Sequence, residues 1–555
     1  MANPKEGISI AHLKRMKVLH MSGCITSTIT ILSTSDIHGF RCPPDQSPSL
    51  SDWKRLSALT DLISVKKRQH GSALLWIDNG DLYQGSPLSD YFMKRIRHQK
   101  TASHPMTEWL AAAGCDAFVP GNHEFNYGKE AIRLVSSDAP CPWLCANIVD
   151  SDTLEPYFGT PYRIWTNEAG VRAAVLGLTT AYIPHWELPA HIEGLAFLPA
   201  VEAARKWVPY LRSQQSADVV IVSYHGGFEN DPATGEPTEA WTGENEGYRL
   251  CTEVKGIDVL LTGHQHRRIE HHFIGSTAIV QPGVYGSHLG EARLTLARSG
   301  DGRWSLQEAA TQLIPVTVSG TSEQPEWLAP SLVELNRWMD KPLGRMASDL
   351  LIRNAHEVRL RKHPFIQWLN AVQMKAAGTS VALTALMDNH APGFGTVVTM
   401  RDIAANYPYP NTLTVRRLSG YQVKLALEHS ARYFELDEKG AIAVHSSFLY
   451  PKPQPFHYDM WDGIHYTLDI SRPPGERVSR LLYDGAPLAM DQELEVAMNH
   501  YRASGSGGYN MMLEAPIVRQ YTTEISDLMA EALSARAEWH VDLISNWNVI
   551  GERIN

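Results

Sequence analysis

Six cysteines in 555 residues are too few for a disulfide framework. Cys24, Cys42, Cys115 and Cys251 are scattered, and Cys141 and Cys145, in Cys-Pro-Trp-Leu-Cys, match no standard zinc or redox spacing, so buried free thiols are expected. No run approaches the ~18 apolar residues of a membrane span. The first 24 residues have basic side chains but no apolar leader segment, and Met21 to Cys24 resemble a lipoprotein cleavage box only faintly, so a cytoplasmic location is expected. Positive charge is also short: 50 Lys and Arg against 60 Asp and Glu give −10, which excludes a surface built to bind polymeric nucleic acid through its phosphates. No internal repeat or low-complexity segment is present. Histidine, by contrast, is plentiful at 24 residues, and it is the commonest metal ligand and the usual acid or base near neutral pH.

The first half alternates short apolar runs with helical patterns, as layered α/β folds do. The runs Ile25 to Leu32, Ala73 to Ile77, Ala117 to Val119, Val171 to Leu178, Val219 to Val222 and Val259 to Leu261 read as buried strands. Between them, Asp52 to Gln69, Pro105 to Ala113, Lys129 to Ser136 and Val201 to Gln214 place apolar residues at helical spacing. Near residue 290 the pattern changes to a hairpin, Glu291 to Ala297 and Arg303 to Ala309. A polar linker, Ser319 to Pro325, and a bridging helix, Pro330 to Asp340, lead into a second α+β unit. It contains helical stretches at Arg361 to Ala377 and Gly420 to Phe434 and strands at Ile464 to Ile470 and Leu494 to Met498. The spacing therefore predicts an N-terminal extension over 1–24, a first domain over 25–318, a linker and bridging helix over 319–345 and a second domain over 346–555.

Ligands of open α/β sheets collect beyond the carboxyl ends of the strands. Five of the runs end in the same kind of residue: Asp36 and His38, then Asp78 and Asp81, then Asn122, His123 and Glu124, then His225, then His264 and His266, each beside a glycine. One Asp-Gly or His-Gly alone would be a turn or a helix cap. Five in one domain, in order and each at a strand end, point instead to chemistry. Oxygen and nitrogen donors without thiolate suit Mn, Zn, Fe, Co or Mg, and the number of donors exceeds what one ion needs. Two divalent ions about 3.5–4 Å apart would use them and would suit in-line attack on phosphorus.

The motifs DxH, GDxxQGS, GNHEFNYG, SYHGG and GHQH together resemble the calcineurin-like metallophosphoesterases, and the PYPNT and NHYRASGSGGY segments that follow resemble the 5′-nucleotidase family. The resemblance implies a four-layer α/β/β/α catalytic domain joined by a helical linker to a smaller α+β substrate-binding domain. It implies one metal on Asp36, His38, Asp81 and His266 and another on Asp81, Asn122, His225 and His264, bridged by Asp81, with Asp78 left out. It implies a water made nucleophilic by the cations, and His123 as the histidine that meets the phosphoryl group or the leaving oxygen. His185, His191, His271, His272 and His288 have no motif around them and are assigned to structure or surface.

For the substrate, the resemblance implies an aromatic clamp on the base from Tyr409, in the turn that holds Asn411, and Tyr501, with Asn389, Gly505 and Gly507 lining the same pocket; stacking on such faces is worth roughly 1–3 kcal/mol per base. A tyrosine between prolines can equally be a packed loop residue, and the glycines can simply make a turn. Three departures sharpen the reading. No arginine follows Gly393-Phe394-Gly395 until Arg401, Asn126 replaces the aspartate expected three residues after His123, and Ser506-Gly507 replaces an acidic residue. With Tyr458 to Tyr466 and the NHYRA segment, the chain resembles the branch acting as 2′,3′-cyclic-nucleotide 2′-phosphodiesterase and 3′-nucleotidase. The runner-up is a 5′-nucleotidase or UDP-sugar hydrolase. A non-catalytic metal- or nucleotide-binding protein would be expected to have gaps among the ligands, and there are none. The resemblance also implies domain motion about a hinge near Pro325 to Leu343.

Overall fold

The computed structural model describes residues 25–39, 53–100, 103–239, 241–318, 325–449 and 453–551. The extension over 1–24, Cys42 and most of the polar linker lie outside the described residues.

Two sheets face one another in the first unit. One has five strands in the order Trp304–Pro315, His288–Arg298, Ile25–Thr34, Leu74–Asp78, Ala117–Phe118. The other has six, in the order Arg268–Ile274, Thr277–Pro282, Val259–Thr262, Val219–His225, Arg172–Thr179, Tyr162–Thr166. The period-2 alternation of strands explains the layering. In Val219–His225, Val219 and Ile221 join Ile29, Ile31, Leu75 and Ile77 in the core between the sheets. Val220, Val222 and Tyr224 point the other way, against Val201, Ala204 and Val208 of the helix Ala200–Ser213. On the opposite outer face Leu32 and Trp76 pack with Leu56, Leu59 and Trp109 of the helices Trp53–His70 and Pro105–Ala113.

Parallel pairing brings the chemically loaded ends level. Thr34 pairs with Asp78, Thr179 with His225 and Tyr224 with Thr262, so the residues after each strand emerge on one edge. The hairpin is longer than the pattern indicated, and its first strand pairs along most of Ile25–Thr34.

A helix over Ala329–Met339 leads to the second unit, whose five-stranded sheet runs in the order Asp459–Asp462, Val381–Ala385, Glu493–Asn499, Thr412–Ser419, Ile517–Glu524. The helix expected over Arg361 to Ala377 begins at Pro364, and a separate short helix, Ala355–Leu360, precedes it and makes Pro364–Ala377 the second helix of the pair. Proline at the first position of the second helix forces His363 into an extended conformation, and its ring then caps Phe365 N. The helix expected to reach Phe434 stops at Ala431. Among the described residues no helix is long and apolar enough to cross a membrane, and Cys115, Cys141 and Cys145 are buried free thiols.

Candidate metal centre and active site

Loops after the first strands are joined by backbone hydrogen bonds: Asp36 N donates to Gly80 O at 2.9 Å, His38 N to Asp81 O at 2.9 Å and Asn79 N to Thr34 O at 2.8 Å. The turns are tight. Asp36, His38, Asp81, His264 and His266 all have positive φ, between 51° and 65°, an arrangement that costs about 1–3 kcal/mol per residue and clusters at functional sites. The neighbouring glycines are required by space. A Cβ on Gly80 would lie 2.3 Å from Gly121 N, and one on Gly121 would lie 2.3 Å from Asp81 Oδ1.

Two groups of ligand atoms result, Asp36 with His38 and His266, and Asp81 with His225 and His264, each with its atoms within 4.8 Å of one another. In each group, a second partner fixes which ring nitrogen faces inward. Backbone carbonyls of Gln84 and Asn79 accept from Nδ1 of His38 and His225, and the Glu244 carboxylate lies 2.9 Å from His264 Nε2. The inward nitrogens converge on other potential ligand atoms: His38 Nε2 lies 3.2 Å from His266 Nε2, His225 Nε2 3.2 Å from Asp81 Oδ2, and His264 Nδ1 2.8 Å from Asn122 Oδ1. Ligand atoms converging in this way fit a cation between them.

Charges in the protein alone tell the same story. Burial disfavours ionised Asp36, yet the hydrogen bond and charge of His266 bring its carboxyl down to about 2. Burial likewise pushes His38 down to about 3, so it offers a free lone pair. His225 goes the other way: burial would lower it, but the Asp81 carboxylate raises it to about 10, so a proton stands where a cation would. Asp78 is pushed up to about 7 by burial and accepts from Thr34 Oγ1 at 2.6 Å.

Glu124, also in the third motif, has a different task. Its carboxylate accepts from the backbone N–H groups of Asp81, Leu82, Tyr83 and Gly121 and so ties two ligand loops together. His123 lies beside the first group, its ring centroid 5.4 Å from that of His38, and its backbone N–H donates to Asp81 Oδ1 at 2.8 Å. Asn126 Oδ1 is 2.8 Å from His123 Nδ1, and Asn126 Nδ2 donates to Glu187 Oε1. His191, assigned above to structure or surface, pairs with Glu187 Oε2 at 3.2 Å and belongs to this network.

Several residues at the site have no motif in the sequence. The segment after strand Arg172–Thr179 brings Trp186 to 5.5 Å from the His264 ring, with Tyr182 stacked on His185 at 3.9 Å. In the Gly283 to His288 segment it is Tyr285 that packs near His38, at 5.9 Å, whereas His288 bonds Ser287 Oγ at the start of a strand.

The second unit faces this edge. His500 Nδ1 accepts from Thr412 N at 3.0 Å, and its ring lies within reach of the charges of Glu187 and His191 in the first unit, as Tyr501 lies within reach of that of Glu244. Phe456 neighbours both expected clamp residues, edge-on to Tyr409 at 6.2 Å and to Tyr501 at 6.3 Å. Asn389 is in an exposed turn, and Asn411 N donates to Tyr409 O at 2.8 Å. Gly505 and Gly507 have φ of 79° and 76°, and a Cβ on Gly507 would meet Arg502 and His457, so the loop needs these glycines for its own packing. Arg401 pairs with Asp340 of the bridging segment and does not supply a phosphate grip.

The fold and the loaded strand edge define a metal-dependent phosphoesterase. Residues 29–268 match the model for calcineurin-like phosphoesterases, and residues 342–514 match that for the 5′-nucleotidase C-terminal domain. A Staphylococcus aureus structure described as a 5′-nucleotidase is 35% identical with a TM-score of 0.83, covering 94% of this chain and 100% of that one. The 2′,3′-cyclic-nucleotide 2′-phosphodiesterase/3′-nucleotidase of Salmonella typhimurium is 28% identical over 86% of this chain and 82% of that protein. The trifunctional nucleotide phosphoesterase YfkN of Bacillus subtilis is 27% identical over 94% of this chain, which spans 39% of its length. The chain belongs to the calcineurin-like phosphoesterases that carry a 5′-nucleotidase C-terminal domain, and it is a hydrolase of phosphoric esters.

Proposed function

We propose that the protein is a 2′,3′-cyclic-nucleotide 2′-phosphodiesterase and 3′-nucleotidase, with a catalytic unit over 25–318 and a substrate-binding unit over 346–555. The observation that carries the reading is the pair of facing ligand groups, Asp36, His38 and His266 against Asp81, Asn122, His225 and His264, lying where the second unit presents Tyr501. Two divalent ions of the Mn, Zn, Co, Fe or Mg kind, when bound, would polarise the phosphoryl oxygens and lower the pKa of a water. Asp81 belongs to one group and its charge acts on His38 of the other, so it is the residue that would be shared by both ions. With Nδ1 of His123 committed to Asn126, Nε2 is the nitrogen left to meet the ester and to hand a proton to the departing oxygen. Both steps occur at one phosphorus: water adds while the bond to O2′ breaks, then a second water adds while the bond to O3′ breaks, and each ribose oxygen leaves with a proton. Tyr409 and Tyr501, with Phe456 beside both, would hold the base by stacking, and Asn389, Asn411, Gly505 and Gly507 would shape the rest of that pocket. The buried thiols fit a reducing, cytoplasmic compartment.

The Salmonella relative supports the cyclic and 3′ specificity, whereas the Staphylococcus relative favours a second reading, 5′-nucleotidase, beside which the UDP-sugar hydrolase alternative is tested. Hydrolysis of 2′,3′-cyclic AMP, 3′-AMP, 5′-AMP and UDP-glucose by metal-free protein reloaded with Mn, Zn, Co or Mg separates them. Faster turnover of the first two is expected. Preference for 5′-AMP or UDP-glucose would establish the second reading, and metal uptake without hydrolysis of any of the four would overturn both.

A further inference from the structure

We propose that Glu187 is a positioning residue that acts through Asn126 to fix which nitrogen of His123 faces the phosphoester. An asparagine beside a histidine does not by itself set the direction of their hydrogen bond, because its amide can accept through Oδ1 or donate through Nδ2. Glu187 removes that freedom. A carboxylate accepts and does not donate, so the bond to Glu187 Oε1 takes up Asn126 Nδ2 and turns Oδ1 toward His123. At 2.8 Å from Oδ1, His123 Nδ1 must carry its hydrogen, and the lone pair of the neutral ring is placed on Nε2. The other carboxylate oxygen is held by His191 Nδ1 at 3.2 Å, and the Glu187 side chain is 4% exposed, so the anchor is fixed at both ends.

The arrangement reproduces a histidine–carboxylate pair with one amide inserted. A carboxylate at position 126 would serve His123 directly but would stand against the carboxylate of Glu187, so residues 126 and 187 form a matched pair. Glu187 is bonded to Asn126 and His191 and not to a ligand residue, which separates its role from metal binding. The inference rests on phosphoester hydrolysis at this site and not on which nucleotide is cleaved.

The test is a reciprocal swap. E187Q can meet Asn126 in either sense and is expected to lower kcat about 10–100-fold with little change in KM, and N126D alone is expected to lose activity as well. In E187Q/N126D, the carboxylate now at position 126 accepts from His123 Nδ1 while the amide now at position 187 donates to that carboxylate, and recovery to within a few-fold of the starting protein is expected. All four proteins should take up equal metal by elemental analysis. Losses that simply multiply in the double variant, or an unchanged E187Q, would overturn the proposal. A second readout needs neither turnover nor the swap variants: in metal-free, 15N-histidine-labelled protein, His123, assigned by its loss in H123N, should show hydrogen on Nδ1. Hydrogen on Nε2 of the neutral ring would overturn the relay whatever the substrate proves to be.

Discussion

Three imidazoles at the candidate metal centre are held by an acceptor on the ring nitrogen that faces away from the group: a backbone carbonyl for His38 and His225, a side-chain carboxylate for His264. Each acceptor holds the ring so that its other nitrogen points into the group. Glu244 is the exception in kind, since a carbonyl comes with the fold and a carboxylate can be removed. Glu244→Ala is expected to weaken one of two metal-binding steps about 10–100-fold while leaving the other near its original value, as read by titrating metal-free protein calorimetrically. Asp81→Asn, by contrast, should weaken both. Equal weakening by Glu244→Ala of both steps would refute the pairing with His264 alone. At this scale the residues that the structure gathers into the two groups are legible in the sequence, because each is a metal-ligand type close to a glycine at a strand end. Glu244, Glu187 and Trp186 are not, because they stand in irregular segments with no spacing rule and reach the site only through folding.

The elements explain why glycine accompanies each ligand. Two strand-end loops approach so closely that a Cβ at residue 80 or 121 would overlap backbone or the Asp81 carboxylate, and five of the candidate ligands are themselves held at positive φ. The strain is supported by the two sheets beneath, whose parallel registers bring the loops together, and by Glu124, which gathers four N–H groups from two of those loops. Gly80→Ala combines a φ of 87° with a backbone clash at 2.3 Å, and should cost about 1–3 kcal/mol in unfolding free energy, together with lower metal occupancy. Unchanged denaturant unfolding with full occupancy would refute the close-approach argument. Short apolar runs make the strands readable in the sequence, since burial on both faces leaves little but Val, Ile and Leu. The helix Pro87–Gln99, capped by Ser86, is less plain: its last six residues include Lys94, Arg95, Arg97 and His98, and Lys94 and Arg95 reach the second unit and the bridging helix.

That helix shows what holds the whole molecule together. Lys94 lies 3.3 Å from Asp90, 2.8 Å from Glu524 and 2.9 Å from Asp527, and Arg95 pairs with Glu334 of the bridging helix at 2.8 Å. The bonds from Lys94 to Glu524 and Asp527 join distant parts of the chain, at a separation where no periodicity in the sequence can report pairing. Three carboxylates around one lysine leave excess negative charge, and burial together with Asp90 and Asp527 outweighs Lys94 and raises Glu524 to about 7. Glu524 therefore binds a proton more tightly in the folded protein than in the unfolded chain, where a glutamate titrates near about 4.3. Its contribution is fully present below the unfolded value, fades as pH rises toward 7 and is lost above it, with an upper bound of about 4 kcal/mol. Glu524→Gln, which keeps a neutral side chain at every pH, should flatten this dependence: relative to the parent protein its thermal midpoint should rise between pH 5 and pH 8. Parallel midpoint curves for the two proteins would show that the interface does not hold that proton. A larger hydrodynamic radius of the parent at pH 8 than at pH 5, absent in the variant, would show the same proton controlling how tightly the second unit rests over the metal centre.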